Sequence, residues 1–131
     1  MTNDGNSPEN LHEKGQRVLD RVNKKASKTM NEICSDLAPE LQEIIIESLF
    51  GKLYSREDEL GLRERVIATI AALTILGYAE PQLRVHIQSG LNVGLSKQEI
   101  IEIIMQMSGY GGFPAALNGI SIAKEVFAEN P

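Results

Sequence analysis

His86 is the residue best suited to acid–base chemistry in this sequence. Histidine has an ordinary pKa near 6.5, which allows proton transfer at neutral pH, and the chain contains two histidines. At 100° per residue, Leu83, Ile87 and Leu91 form one apolar helical stripe, and His86 lies beside it. The edge of an apolar face can border a cleft. A histidine that merely packs beside a core is the commoner alternative, and the helical wheel leaves both interpretations open.

Arg65 is the second candidate, because it is the last charged residue before the uncharged run 66–79. We predict that it lies one turn before Thr69, at the border of a buried stripe formed by Leu62, Thr69 and Leu73. A guanidinium group there could bind a carboxylate through two parallel hydrogen bonds. Alternatively, its aliphatic stem covers apolar surface.

The segment GYGGFP, residues 109–114, is a third candidate. Glycines allow close approach of the backbone, and the free N–H groups at a helix start attract anions. Tyr110 could add a phenolic hydroxyl, although a tight interhelical turn is the preferred interpretation of the segment taken alone. Glu102 could orient a histidine from a neighbouring helix, or it could simply be exposed. The sequence has no metal-ligand cluster, nucleophile elbow or phosphate loop, and we predict no metal site.

Composition excludes several classes of function. The net charge of −5 argues against nucleic-acid binding, which needs a basic patch. We interpret the lysines and arginines of the first 30 residues as a solvated helix face, because acidic residues are mixed with them. The one cysteine, Cys34, cannot form an internal disulfide or a CxxC pair, and we expect it to be buried or half-buried. No apolar run reaches 18 residues and MTNDGNSPEN resembles no secretory signal, so we expect a cytoplasmic protein without membrane contact.

Helical periodicity dominates the pattern of apolar residues. It predicts a disordered tail over 1–8 and then one all-α domain over 9–131, a bundle of five or six helices. Pro39 suits the first position of a helix. The apolar face predicted for that helix consists of Leu41, Ile44, Ile45, Ser48 and Leu49, continuing toward Leu53. We expect a surface loop over Ser55–Glu59.

The run from Val66 to Ala79 predicts a helix that is apolar on nearly every side and ends at Gly77. Such a helix must be covered on most sides, and a chain of 131 residues has few other helices for this purpose. We therefore predict a homo-oligomer. Ser96 and Glu99 fit a capping box for the following helix, which should break at Gly109–Gly112, and Pro114 should start the last helix.

Four segments occur in a specific order: an apolar helix ending in Leu76-Gly77, then PQLRVHI, then NVGLSKQEI, then YGGFPAALN. Together they resemble the carboxymuconolactone decarboxylase family, over about Leu60–Phe127. KGQRVLDRV and FGKLYSREDELG upstream are similar less closely. The resemblance implies an all-α, alkylhydroperoxidase D-like fold and a hexamer built as a trimer of dimers.

The family includes two chemistries. One branch reduces peroxides with a CxxC pair, a following histidine and an upstream glutamate. The corresponding segment here, Gly77–Gln82, has no cysteine, and Val66 stands at the glutamate position. A disulfide relay needs two neighbouring thiols, so the peroxiredoxin activity attached to the family as a whole does not fit this sequence.

The decarboxylase branch lacks the cysteines and keeps the histidine. The resemblance implies cofactor-independent loss of CO2 from 4-carboxymuconolactone, a small anionic substrate of aromatic compound catabolism. It implies that His86 donates a proton or a hydrogen bond and that Arg65 holds a carboxylate. Tyr110, Gly112, Phe113 and Glu102 would complete the substrate site.

Two departures from the branch leave the substrate open. Tyr54 stands where a tryptophan is frequent, and Gly111 where cysteine or alanine is frequent. Another lactone carboxylate is therefore a candidate substrate. A non-catalytic or regulatory homologue, with His86 hydrogen-bonded to backbone and inaccessible, is the alternative from a different class.

Overall fold

The regular structure is helical throughout residues 8–131, the part of the chain that a computed structural model describes. The elements are α1 (Leu11–Cys34), α2 (Pro39–Ile44), a π-helical segment (Ile45–Tyr54), α3 (Leu62–Leu76), α4 (Glu80–Asn92), α5 (Lys97–Gly111) and α6 (Phe113–Ala128). The prediction of an all-α fold with five or six helices is confirmed. Of the predicted tail, residues 1–7 lie outside the described residues, and Pro8 is exposed.

The fold groups into two compact units, one ending at Glu57 and the other beginning at Asp58. We refer to them as the N-terminal and C-terminal units. The single domain predicted over 9–131 stays a prediction.

In the N-terminal unit, α1 bends sharply at Asn23, whose φ of −166° and ψ of 95° are not helical. The side chains of Gln16 and Ser27 meet across the bend, with Nε2 donating to Oγ at 2.7 Å. Eleven residues of straight helix would separate them by about 16 Å, so the two halves of α1 fold back toward each other. Asn23 is buried and accepts a hydrogen bond from the Ala26 amide at 3.1 Å. The first helix is therefore two packed helical pieces.

The π-helical segment packs against α1 through side chains four residues apart: Ile46, Phe50 and Tyr54 are all buried. The rings of Phe50 and Tyr54 lie 4.8 Å apart between centroids. Gly15 of α1 lies against the Ile46 carbonyl, and a Cβ at this position would come within 2.8 Å of the carbonyl carbon. This crossing depends on a residue without a side chain.

The apolar face predicted for this region is wrong. Helix α2 begins at Pro39 as expected, but the residues predicted to be buried are mostly exposed: Leu41, Ile44, Ser48, Leu49 and Leu53, with Ile45 half-buried. Two sets of apolar residues at a spacing of four compete in this region: Ile45, Leu49 and Leu53, and Ile46, Phe50 and Tyr54. Packing against α1 buries the second set, and the prediction chose the first.

In the C-terminal unit, α3 buries one stripe, which consists of Leu62, Val66, Ile70 and Thr74. The predicted stripe through Thr69 and Leu73 is wrong, since both are only half-buried. Gly77 ends the helix with a φ of 73°, as expected, because few residues other than glycine adopt this left-handed conformation.

The capping box of α5 is confirmed. Ser96 Oγ accepts from the Glu99 amide at 3.0 Å, and the Glu99 carboxylate accepts from the Ser96 amide at 3.0 Å. Within the break predicted over Gly109–Gly112, α5 continues to Gly111 and the chain turns at Gly112, whose φ is 92°. Helix α6 starts directly afterwards, with Pro114 in its first turn.

Other surface and core expectations can be compared with the described residues. Cys34 is buried, as predicted. The basic residues of α1 are exposed, as predicted for a solvated face, and Arg21 binds the Glu57 carboxylate of the loop after the π-helical segment, with a shortest distance of 2.7 Å. None of the helices in residues 8–131 is long and apolar enough to cross a bilayer.

Candidate functional site

His86 lies in the middle of α4, at the edge of that helix's buried face. Leu83 and Ile87 are in the core, Leu91 is half-buried, and His86 itself is half-buried. The edge position predicted from the helical wheel is thus the observed one. Gly90, one turn further on, packs closely: a Cβ there would lie 3.1 Å from the terminal carbons of Ile70 and Leu95.

The imidazole of His86 has an unsatisfied buried atom. Nδ1 is inaccessible to solvent and has no hydrogen-bond partner among residues 8–131. Leaving a buried polar atom unpaired costs about 1–3 kcal/mol, so such atoms are rare and need a cause. A purely structural histidine would be expected to bind backbone through this nitrogen, and this one does not.

Burial also changes the acid–base behaviour of the ring. It lowers the pKa of His86 from 6.5 to about 4, since a charged imidazolium loses its hydration. The ring is therefore neutral at pH 7. The expectation of ready proton exchange at neutral pH, which assumed an ordinary pKa, is wrong for this isolated chain.

Arg65 occupies the first turn of α3 and is half-buried. Its Nε donates to the Leu60 carbonyl at 3.1 Å, and its own carbonyl accepts from Thr69 Oγ1 at 2.9 Å. The guanidinium group is thus held at the start of the helix by its inner nitrogen. Its role in binding a carboxylate stays a prediction.

The remaining predicted site residues lie at or near the surface. Tyr110 is 80% exposed and Phe113 is 75% exposed, on either side of the turn at Gly112. Glu102 is exposed and accepts a hydrogen bond from Gln98 Nε2 at 3.0 Å. Of its two predicted alternatives, this agrees with an exposed glutamate rather than with one that orients a histidine. Within the described residues, no hydrogen bond joins His86 to any of these side chains.

Sequence reasoning missed a polar cluster on another face of α4. Arg84 forms ion pairs with Glu125 and Glu129, and Asn130 donates to Gln88 Oε1 at 2.7 Å. Arg84 and Gln88 are four residues apart and share one helix face, whereas His86, two residues from each, points about 160° away. The i, i+4 spacing of two long polar side chains was the available signal. These contacts join the end of α6 to the helix that carries His86.

The described residues contain no group of three or more histidine, cysteine or acidic side chains arranged to hold a metal ion.

The chain is similar to known proteins over most of its length. Residues 39–125 match the sequence model of the carboxymuconolactone decarboxylase family. The chain is 43% identical over 94 residues to an uncharacterised 15.0 kDa protein from the nqo9–nqo10 intergenic region of Paracoccus denitrificans, covering 71% of this chain and 69% of that protein. It is 35% identical over 95 residues to the 4-carboxymuconolactone decarboxylase of Acinetobacter baylyi, covering 72% and 69%.

Proposed function

Because the chain belongs to the carboxymuconolactone decarboxylase family, we propose that it is a cofactor-independent lyase that removes CO2 from a small lactone carboxylate. The first candidate substrate is 4-carboxymuconolactone, which the name of the Acinetobacter relative specifies. The observation that carries the proposal is the half-buried imidazole of His86 with its unpartnered Nδ1. A buried polar atom that residues 8–131 leave without a partner is the feature of this chain that a bound ligand would explain.

The proposed reaction makes three demands on the protein. The bond between the carboxyl carbon and the ring carbon breaks, CO2 leaves, and the electron pair moves into the unsaturated lactone carbonyl. A proton then adds to carbon, so that each anion consumes one proton. The site must bind a carboxylate, stabilise negative charge on the lactone oxygen and deliver the proton.

His86 serves the second and third demands in this proposal. As a neutral imidazole it donates an N–H hydrogen bond to the lactone oxygen, where charge develops. Once protonated, it is the acid that delivers the proton to carbon. Arg65, whose Nε donates to the Leu60 carbonyl, binds the carboxylate. Tyr110, Gly112, Phe113 and Glu102 complete the substrate site.

We also propose that the active form is a homo-oligomer, with the hexamer as the expected assembly. Large apolar side chains are exposed in both units of the chain, among them Leu37, Leu41, Ile44, Tyr110, Phe113 and Leu117. Helix α3 leaves Ile75 and Leu76 partly uncovered, at 37% and 46% exposure. Contiguous exposed apolar surface is typical of protein interfaces. Association would also cover Tyr110 and Phe113, the side chains proposed to close the site.

The proposal is tested by an ultraviolet assay with 4-carboxymuconolactone and a panel of related lactone carboxylates. We expect turnover of one of them, and a loss of at least about 100-fold in kcat for His86→Asn, the range that acid–base groups contribute. His12→Asn, which removes the exposed histidine of α1, is the matched control and should keep full activity.

Two results would count against the lyase. Full activity of His86→Asn would remove the histidine from the mechanism. No turnover of any lactone carboxylate by the intact oligomer would favour a non-catalytic homologue instead.

A further inference from the structure

The imidazole of His86 has no carboxylate partner as a counter-charge in the C-terminal unit. Catalytic histidines are commonly oriented by a carboxylate that stabilises the imidazolium. Here Nδ1 meets no carboxylate, and burial is the cause of the lowered pKa. The ring is therefore placed where its charged form is unfavourable until something brings a negative charge to it.

The charged and titratable groups of α3–α6 are engaged elsewhere or exposed. On α3 they are Arg63, Glu64 and Arg65; on α4, Glu80 and Arg84; on α5, Lys97, Glu99, Glu102 and Tyr110; on α6 and just after it, Lys124, Glu125 and Glu129. Arg63 pairs with Glu64 and Glu99, and Arg84 pairs with Glu125 and Glu129. Lys97 donates to the Asn130 carbonyl at 2.5 Å. None of these side chains hydrogen-bonds to the Nδ1 of His86.

We infer that a bound carboxylate ligand supplies the missing counter-charge of His86, so that anion binding and uptake of a proton by the imidazole are one coupled event. This inference rests on the proposed function: the proton that His86 takes up when the anion binds is the proton that it later delivers to carbon. An opposite charge in contact with a titratable group raises the pKa of a histidine by about 1–3 units. Since the pKa of the free ring is about 4, contact with a carboxylate brings it toward neutrality.

With this coupling, His86 carries the additional proton only while an anionic ligand is bound. The free protein holds a neutral ring, and the anion brings the proton that the carbon later receives when CO2 leaves. An uncharged lactone would enter without the proton. Substrate charge would thus be recognised through the protonation state of His86 as well as through Arg65.

The test uses paraconate, a saturated γ-lactone with one carboxylate, and its uncharged methyl ester. Binding to the intact oligomer is measured by calorimetry at pH 6 in two buffers of different ionisation enthalpy, which reports the protons taken up per ligand. We expect between about 0.1 and 0.9 proton for paraconate, corresponding to a bound pKa of about 5–7, and none for the ester. The Kd of paraconate should rise by up to about tenfold per pH unit between the free pKa of about 4 and the bound pKa, and should level off above the bound pKa.

Variants assign the proton to a residue. Uptake should disappear in His86→Asn, whose amide cannot take a proton, and persist in His12→Asn. Because the chain has two histidines, His12→Asn also leaves a single ring signal for nuclear magnetic resonance. That signal should move toward the imidazolium position when paraconate is added at pH 6. This measurement keeps His86 intact and does not depend on the folding of His86→Asn.

Three results would overturn the inference. They are paraconate binding without proton uptake, uptake that persists in His86→Asn, and no binding of paraconate at millimolar concentration. Failure of the lyase proposal looks different. If proton-linked binding is found without turnover of any lactone carboxylate, the anion site stands and the lyase does not. If turnover is found without uptake, the lyase stands and its proton comes from elsewhere.

Discussion

The position of His86 was predictable from the sequence, but its environment was not. Counting residues along a helix placed the ring beside the stripe of Leu83 and Ile87, and the structure places it there. The depth of burial and the unpaired Nδ1 depend on how α4 packs with its neighbours. No local pattern encodes that, so the sequence suggested an ordinary pKa where the structure lowers it to about 4.

The lowered pKa of His86 predicts a pH-dependent loss of stability. Because the folded pKa lies below the unfolded value of 6.5, the unfolded state binds more protons as the pH falls, and stability decreases from pH 7.5 toward pH 4. Between pH 7.5 and pH 5 the unfolding free energy should fall by about 2 kcal/mol through this group. Urea denaturation at the two pH values measures it.

Two variants separate this effect from other titrations. His86→Asn should lose most of the pH dependence between 7.5 and 5, and His12→Asn should keep it. The pKa values of Glu9, Glu57 and Glu99 are lowered by their hydrogen bonds to Arg17, Arg21 and Ser96 respectively. The stability that these carboxylates contribute is lost mainly below the ordinary glutamate pKa of 4.5, which lies outside the range from pH 7.5 to pH 5. Equal stability of the wild-type protein at both pH values would show that the ring is not desolvated as described.

At the scale of elements, the sequence predicted those boundaries that depend on a few neighbouring atoms. Pro39 opens α2, Gly77 closes α3, and Ser96 with Glu99 caps α5. Each signal acts through one residue's own backbone or side chain, so no knowledge of packing is needed.

The predictions failed for elements whose shape or buried face depends on packing between residues distant in the sequence. The bend at Asn23 is held by contacts between residues eleven apart. In the π-helical segment Ile46, Phe50 and Tyr54 are buried against α1. The apolar pattern alone did not distinguish this stripe from the neighbouring one through Ile45, Leu49 and Leu53. Of the break predicted over Gly109–Gly112, only Gly112 forms the turn, since Gly109 and Gly111 in a helix each cost only about 1 kcal/mol.

The crossing of α1 and the π-helical segment gives a prediction at this scale. Gly15→Ala should lower the unfolding free energy by roughly 1–3 kcal/mol, because a Cβ would overlap the Ile46 carbonyl and force the two helices apart. Gly109→Ala is the matched control: it adds the same methyl group to a helix with nothing within 4 Å. It should be neutral or stabilise by up to about 1 kcal/mol. Urea denaturation of both variants measures the difference, and equal stabilities would contradict the close crossing.

At the scale of the whole molecule, the sequence already indicated that one chain cannot cover its own apolar surface. The run 66–79 has no charged residue, and α3 buries only one stripe of it, leaving Ile75 and Leu76 partly exposed. The exposed face of α2 and the π-helical segment adds to this surface in a way that the sequence did not predict. Both observations favour self-association.

We therefore predict that the purified protein is an oligomer and that the exposed face of α2 contributes to its interface. The double variant Leu41→Glu, Ile44→Glu replaces side chains that are 50% and 58% exposed in the chain. It should leave the helical circular dichroism unchanged while reducing the molar mass in light scattering, because two charges would be buried in an apolar contact. The control Glu40→Gln, Glu43→Gln changes two exposed residues of the same helix and should keep the wild-type mass. A wild-type monomer at micromolar concentration would contradict self-association, and a double variant of unchanged mass would show that this face lies outside the interface.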